Sequence, residues 1–472
     1  MPGAMAGDKE KLSIAVVSMH KQGHLAPVLY LCSELCKRGH QVCVYMPEIG
    51  KNDFEKKIKE TGAALVALDM QGYSDETIKS TATASRKHVF TVISNLMCPA
   101  LRKEFSQKRP DVVLADFASI AGCLITEEMK LPLVLNMPGP LSLMQVICGL
   151  PDTSTGVNCF GLHLARQRFS ALTLVKWLGL GGLTEWGKPL RNAVGRGAMV
   201  LVQTIWGLDK PMPIYPNFIV TGPVLPPAAA LRDGLAKHVE LQRFLRAAPE
   251  GVVYVTTGSL VKLEAWQVRV IFNGLKKAKC RVVWSLKEEK QEFLPSKEDP
   301  DFFISKWLPQ AELLQDPAIK LVITHCGWGG IMETLIAGKP MVAVPFFGDQ
   351  PQNAKLIQQR GLAELIGRIP TGAEGTLNPY KEGWITEDSV CSAVTKVMNT
   401  PSYAAKAAEL MIASGATGGV ATAAQHVEWA ARYGTSHVKP ENFSYFTGSN
   451  PFNGLVVGLG LCAVGLCKLS LF

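Results

Sequence analysis
One βα unit restricts the folds open to this chain more than any other segment. Leu321-Val-Ile-Thr324 is a short apolar run rich in β-branched residues and predicts a buried strand. His325-Cys-Gly-Trp-Gly-Gly330 follows as a glycine-punctuated turn. Ile331-Met-Glu-Thr-Leu-Ile-Ala337 then predicts a helix stopped by Gly338, with Pro340 just beyond. A strand running through a glycine turn into a helix leaves unpaired N–H groups at the helix start, and the helix dipole adds to their positive field. Glycines at 329 and 330 let an anion approach the backbone with no Cβ in the way. The unit therefore predicts a phosphate site, with His325 as an added donor at the strand tip. Its plain alternative is a structural turn, since such turns occur in any α/β domain.

The same alternation runs along the whole chain. Strands are expected near 12–18, 40–47, 64–69, 111–116, 132–137, 198–204 and 218–221. The pattern restarts at Gly251-Val-Val-Tyr-Val-Thr-Thr-Gly-Ser259 and continues near 281–286, 302–306, 321–324 and 341–346. Helical patterns between the strands predict βαβ units and parallel sheets, and 472 residues are too many for one ordinary core. The proline- and alanine-rich run from Thr221 to Ala230 reads as the connection between two domains. We expect an N-terminal domain over 10–225, a linker over 226–240 and a C-terminal domain over 241–425. A helical segment over 426–449 is expected to pack back on the first domain, followed by a hydrophobic tail over 450–472.

Residues flanking the βα unit sharpen its chemistry. Trp307 and Gln310 close the strand-like run before it, and Asp349 with Gln350 follow the run after it. Strand ends of a parallel sheet open on one crevice. An aromatic face, an amide, a row of N–H groups and an Asp–Gln pair suit a base, its edge, phosphates and sugar hydroxyls. The stretch from Trp307 to Gln350 resembles the donor-binding box of the UDP-dependent glycosyltransferases that act on small lipophilic molecules in plants and animals. Its 44 residues equal the length of the plant box. The resemblance implies the α/β GT-B fold, two facing Rossmann-like domains with the active site in the crevice between them. It implies that Trp307 stacks on uracil, Gln310 contacts its edge and His325 the diphosphate. Glu333 would take the ribose hydroxyls, and Asp349 with Gln350 the sugar hydroxyls. Gly327, Trp328, Gly329 and Gly330 complete the phosphate turn, and Gly258-Ser259 resembles the family's second phosphate-side turn. Trp-Leu-Pro-Gln and Asp349-Gln-Pro-Gln-Asn353 lean toward the animal version, His-Cys-Gly-Trp toward the plant one. Plant members carry Asn-Ser where Gly329-Gly330 stand, so only backbone donors are expected there.

The N-terminal half offers a base. His24 follows the first strand-like run and is expected in a loop before a helix that opens at Pro27. Asp116 ends the run Asp111-Val-Val-Leu-Ala-Asp116. Removing a proton from a hydroxyl suits a histidine, and a carboxylate stabilises the imidazolium that forms. Gln22-Gly-His24 resembles the family's catalytic histidine and Leu114-Ala-Asp116 its partnering aspartate. A lone loop histidine is more often simply solvated, and Asp116 could also cap the next helix. His20 and His24 are four apart but precede the helix, so they predict no metal pair. Asp299-Pro-Asp301 resembles a metal-holding Asp-x-Asp, yet its charged, proline-bearing loop explains it as a turn. No metal site and no cofactor are expected; the UDP-sugar is a co-substrate.

Composition bounds the partners. The net charge of +9 is dispersed along the chain, which gives no footprint for nucleic acid. Twelve cysteines without paired spacing read as free thiols in a reducing compartment, and the N-terminus has no signal-like apolar core. A cytosolic location is the expectation, with anchoring by the C-terminal tail left open. Residues 139–190 are apolar with interleaved glycines: ordinary core helices, or, by the resemblance, the lining of a lipophilic acceptor pocket. Gly454–Cys467 carries no charge, and 452–472 is long enough to anchor in a membrane if Lys468 snorkels, a buried final helix being the alternative. The chain is thus expected to be an inverting UDP-sugar transferase, with glucose suggested by Gln350. Its acceptor would be a membrane lipid such as a sterol, or a soluble phenol or terpenoid. Gly329 in place of asparagine keeps a second expectation open, a nucleotide-sugar-binding protein without transferase activity.

Overall fold
Mostly aliphatic runs of three to seven residues become strands because sheets covered by helices on both faces bury every side chain of a central strand. The structure is a computed structural model that describes residues 10–85, 87–143, 183–212, 214–226, 231–367, 369 and 378–440. The chain divides into two units. The first comprises 1–203, 212–221 and 420–472, and the second 204–211 and 222–419.

The first unit holds β1 (Ser13–Val17), β2 (Gln41–Pro47), β3 (Ala64–Leu68), β4 (Val112–Asp116), β5 (Leu133–Met137), β6 (Met199–Val202) and β7 (Phe218–Val220). They pair in parallel in the order β3-β2-β1-β4-β5-β6-β7. The second unit holds β8 (Val252–Thr256), β9 (Arg281–Ser285), β10 (Phe302–Ser305), β11 (Ile319–Thr324), β12 (Met341–Ala343) and β13 (Ala363–Leu365). Its parallel order is β10-β9-β8-β11-β12-β13. Each sheet is doubly wound, and strand order reverses at β1/β4 in one and β8/β11 in the other. A crevice opens at such a reversal because the connections leave in opposite directions. Leu321, Val322 and Ile323 of β11 are at most 3 % exposed; each contributes about 1.5–3 kcal/mol by leaving water.

The expected doubly wound α/β architecture is present, with three local corrections. His24 lies in the first turn of the helix Gln22–Lys37, not in a loop before it. Pro27 sits inside that helix, where its missing N–H forfeits only the bond to the carbonyl of Gly23. The helix after β11 starts at Trp328 rather than Ile331, with Gly327 as N-cap. Gly329 and Gly330 are helical despite their poor propensity, because Ile331, Met332 and Leu335 bury the helix they lead into. The strand β13 was not foreseen; Ala-Glu-Leu is too short and too polar to signal one.

Leu235 and Leu241, early in the second unit, join its core. The helix Gly419–Tyr433 buries Val427, Ala430 and Ala431. Its Glu428 accepts from His40 at 2.8 Å and from Arg38 at 3.1 Å. The apolar stretch at 144–182 and the tail at 450–472 lie outside the described residues. Among the described residues no helix is long and apolar enough to cross a membrane.

Gly122 opens the helix Ala121–Met129 against β4, where a Cβ would stand 2.5 Å from the Cβ of Ala115. Gly122→Val is therefore expected to cost about 2–3 kcal/mol, read as a lower midpoint in thermal unfolding.

Candidate functional site
The reversal in the first unit carries the histidine and the aspartate. β1 leads into the helix that begins at Gln22, and Asp116 is the last residue of β4, the strand beside it. His24 Nδ1 lies 3.2 Å from Asp116 Oδ2 and 3.3 Å from Oδ1. Asp116 is fully buried, and its carboxylate also accepts from the backbone N–H of Ala118 at 3.1 Å and from Ser119 Oγ at 3.4 Å. A buried carboxylate held this way is fixed in direction. Phe90 and Phe117 flank the imidazole, each with ring centroids 5.4 Å from it. With the Nδ1 proton directed to the carboxylate, the basic lone pair is on Nε2.

In the second unit the reversal at β8/β11 brings two glycine turns together. Gly258 follows β8 and has φ +68°; a Cβ there would stand 2.5 Å from His325 Nε2. Gly327 meets the same ring atom at the same distance. Only glycines let both backbones close on the imidazole. Enclosure lowers the His325 pKa to about 4, against a hydrogen bond to the Thr256 backbone that favours the charged form. His325 is therefore neutral near pH 7. The N–H groups of Trp328, Gly329 and Gly330 begin the helix, whose first i→i−4 bond runs from Ile331 N to Gly327 O at 3.1 Å. Trp328 is 4 % exposed and packs its indole into the core. At Gly329 a Cβ would meet nothing within 4 Å. Ser259, beside Gly258, is exposed, and its carbonyl accepts from Lys287 Nζ at 2.8 Å.

A part-buried polar chain stands beside this turn. The Tyr254 hydroxyl donates to Gln310 Oε1 at 3.0 Å, and Gln310 Nε2 donates to Glu333 Oε2. Burial raises the Glu333 pKa, partly offset by that bond. Tyr254 is 1 % exposed in β8 and was not singled out from sequence, because a tyrosine in a strand ordinarily signals core. Trp307 follows β10, the sheet-edge strand, and is 65 % exposed with His238 at 6.5 Å between ring centroids. Its bare indole face can take a flat ring.

Asp349 and Gln350 stand at the start of the helix Gln350–Gln359. Gln350 is buried, and its Oε1 accepts from the backbone N–H groups of Phe346 at 2.9 Å and Phe347 at 3.2 Å. Its Nε2 is the side chain's remaining polar group. Asp349 Oδ2 accepts from Asn353 Nδ2 at 2.7 Å, and the same Nδ2 donates to Cys326 O at 3.0 Å. Asn353 escaped the sequence reading although its i+4 spacing from Asp349 on a helix was a usable signal. The expected donor residues Gly258, His325, Gly327, Gln310, Glu333, Asp349 and Gln350 thus cluster at one end of the second sheet, and His24 with Asp116 at one end of the first.

Other candidates are engaged elsewhere. His20 Nε2 lies 2.9 Å from Asp75 Oδ1. Asp299 and Asp301 both pair with Lys276, at 3.1 and 2.8 Å, and Asp299 Oδ1 also accepts from the Asp301 backbone N–H at 3.0 Å, a turn closed on itself. Among the described residues eight cysteines are free thiols.

The family model described as UDP-glucoronosyl and UDP-glucosyl transferase matches residues 183–414. UDP-glucuronosyltransferase 2B13 of Oryctolagus cuniculus is 29 % identical over 327 residues, which are 64 % of this chain and 57 % of that protein. UDP-glucuronosyltransferase 2B1 of Rattus norvegicus is 27 % identical over 447 residues, 82 % of this chain and 78 % of its own length. The chain thus spans less than two thirds of the rabbit relative. A Medicago truncatula protein crystallised with UDP-glucose superposes with a TM-score of 0.64 at 18 % identity, covering 90 % of this chain and 98 % of that one. Likeness at that identity shows the fold, which is GT-B with two Rossmann-like domains.

His325 supplies a test. Its pKa is depressed from 6.5 to about 4, so the unfolded chain binds the extra proton first as pH falls. Stability from the neutral ring is present above pH 6.5 and is lost as pH drops toward 4. The expected loss is on the order of 3 kcal/mol, seen as a falling unfolding midpoint that flattens in His325→Gln.

Proposed function
The chain belongs to the family of UDP-dependent glycosyltransferases, and on that premise we propose that it moves a sugar from a UDP-sugar to a hydroxyl of a small lipophilic acceptor with inversion at the anomeric carbon. The observation that carries the reading is the His24–Asp116 pair at 3.2 Å, with the carboxylate fully buried. His24 Nε2 takes the acceptor's proton as its oxygen attacks the anomeric carbon. The bond from that carbon to the UDP oxygen breaks, and UDP leaves with the electron pair. Asp116 stabilises the imidazolium; a positioned base of this kind is worth about 10²–10⁴-fold in rate. One displacement from the face opposite the leaving group inverts the centre.

In this reading Trp307 stacks on uracil, and Gln310 offers its second amide hydrogen to the edge of the base. Glu333 binds the ribose hydroxyls. The diphosphate lies against the turns at Gly258-Ser259 and His325–Gly330, where Gly327, Gly329 and Gly330 contribute backbone and Trp328 only its N–H. Developing charge on UDP is met by the helix N-terminus. Asp349 and the Gln350 amide hold the sugar, and Gln350 is the basis for glucose as donor. Glucuronic acid is the competitor, since the rabbit and rat relatives are named for it. Catalysis without bound metal is part of the proposal, supported by Lys276 already paired with Asp299 and Asp301. Cytosolic catalytic domains, with 452–472 contacting a membrane, rest on the sequence pattern alone.

The test is UDP release by the purified protein with UDP-glucose or UDP-glucuronate and a panel of phenols, terpenoids and sterols. Acceptor-stimulated release that survives EDTA is expected, with His24→Ala slower by at least ~10²-fold. Undiminished turnover in His24→Ala would overturn the mechanism. Binding of UDP-glucose with no release for any acceptor would instead favour a binding protein. Gly329→Asn places a side chain into open space at the phosphate turn. It is expected to leave the unfolding midpoint unchanged and to tighten UDP binding roughly threefold, about one hydrogen bond's net worth, measured by calorimetric titration.

A further inference from the structure
We propose that Asn353 is a positioning residue that holds the phosphate turn in its binding shape and couples it to Asp349. The consequence for ligand binding rests on the donor-site reading above, whereas the clamp itself rests on geometry. Asn353 is 1 % exposed, one turn into the helix Gln350–Gln359. Its Nδ2 donates to Cys326 O at 3.0 Å and to Asp349 Oδ2 at 2.7 Å. Both partners are pure acceptors, so only the nitrogen end of the amide fits them. Oδ1 is buried without a partner among the described residues, an unfavourable arrangement that the two bonds must outweigh.

The carbonyl that Asn353 grips belongs to a strained residue. Cys326 is fully buried and has φ +66°, the left-handed region that a residue with a Cβ enters at a penalty glycine does not bear. Two side chains hold it there. Its N–H donates to Thr324 Oγ1 at 3.1 Å, and its carbonyl is held by Asn353. The next residue, Gly327, is the N-cap of the helix whose first N–H groups form the anion site. Without Asn353 the peptide after Cys326 can relax out of the left-handed form, and the N–H groups that follow turn from their common target. The same loss leaves the Asp349 carboxylate without the donor that directs it. One amide therefore sets the geometry of both the phosphate turn and the sugar-side acid.

The experiment is a double-mutant cycle on the full-length protein: Asn353→Ala, Cys326→Gly and the double variant, each followed by thermal unfolding and by calorimetric titration with UDP. Glycine at 326 removes the left-handed penalty, so the turn keeps its shape with less help. Asn353→Ala is expected to lower the unfolding midpoint by about 5 °C and to weaken UDP binding roughly tenfold. In the Cys326→Gly background both losses should fall by at least half. Equal losses in the two backgrounds would overturn the clamp. Coupling in the midpoint with UDP affinity untouched by Asn353→Ala would make Asn353 purely structural and overturn the positioning role. Coupling in the midpoint with no UDP binding by any of the four proteins would leave the clamp standing and overturn the donor-site reading. Should Asn353→Ala not fold, the near-isosteric Asn353→Leu removes both donors without adding a charge or a cavity and carries the same expectations.

Discussion
The parallel pairing of β8 with β11 is the constraint on which the second unit's site depends. Thr256 and Thr324 end these strands in register, so the turns that follow must share one small volume. Gly258, His325 and Gly327 meet there with the histidine ring between two backbones that have no room for a Cβ. The helix that starts at Trp328 cannot be placed elsewhere, because its apolar face is buried in the same core. Sheet packing thus brings the backbone amides at the start of that helix beside the glycine turns, and the Asn353 side chain holds the peptide that leads into them.

Around that turn, polar side chains spend most of their hydrogen-bonding capacity on one another. Tyr254 holds Gln310, Gln310 holds Glu333, Gln350 caps the 346–347 backbone, and Asn353 joins Cys326 to Asp349. A buried polar group left unpaired costs about 1–3 kcal/mol, so such chains have one good arrangement and few near alternatives. The geometry of these groups is set by their own hydrogen bonds. The first unit uses the same device on a smaller scale, where Asp116 is fixed by Ala118 and Ser119 while it fixes His24.

Recurrence of one topology explains how a chain of this length carries two such sites. In each unit strand order reverses beside the first strand, and in each the residues of interest follow the two strands at the reversal. His24 and Asp116 follow or end β1 and β4, as Gly258 and His325 follow β8 and β11. The reason is geometric: only at the reversal do adjacent strand ends lack a helix crossing over them.

Much of this was legible in the residues alone. Strand positions other than β13, the parallel α/β class and the glycine turn after β11 were readable, because hydrophobic periodicity and glycine placement are local properties of the chain. Helix starts were less legible. His24 in a helical turn and Trp328 as a helix's first residue depend on how a later apolar face packs, which outweighs the local signal from Pro27 or Gly329. The roles of Tyr254 and Asn353 lay further out of reach. A strand tyrosine and a helix asparagine look ordinary until parallel pairing sets Tyr254 beside Gln310, 56 residues on, and Asn353 beside Cys326, 27 residues back. Sequence determined which elements form and which chemical groups are on offer. Tertiary structure alone decided which groups are already bonded to each other, since hydrogen bonding depends on distances that no local pattern encodes.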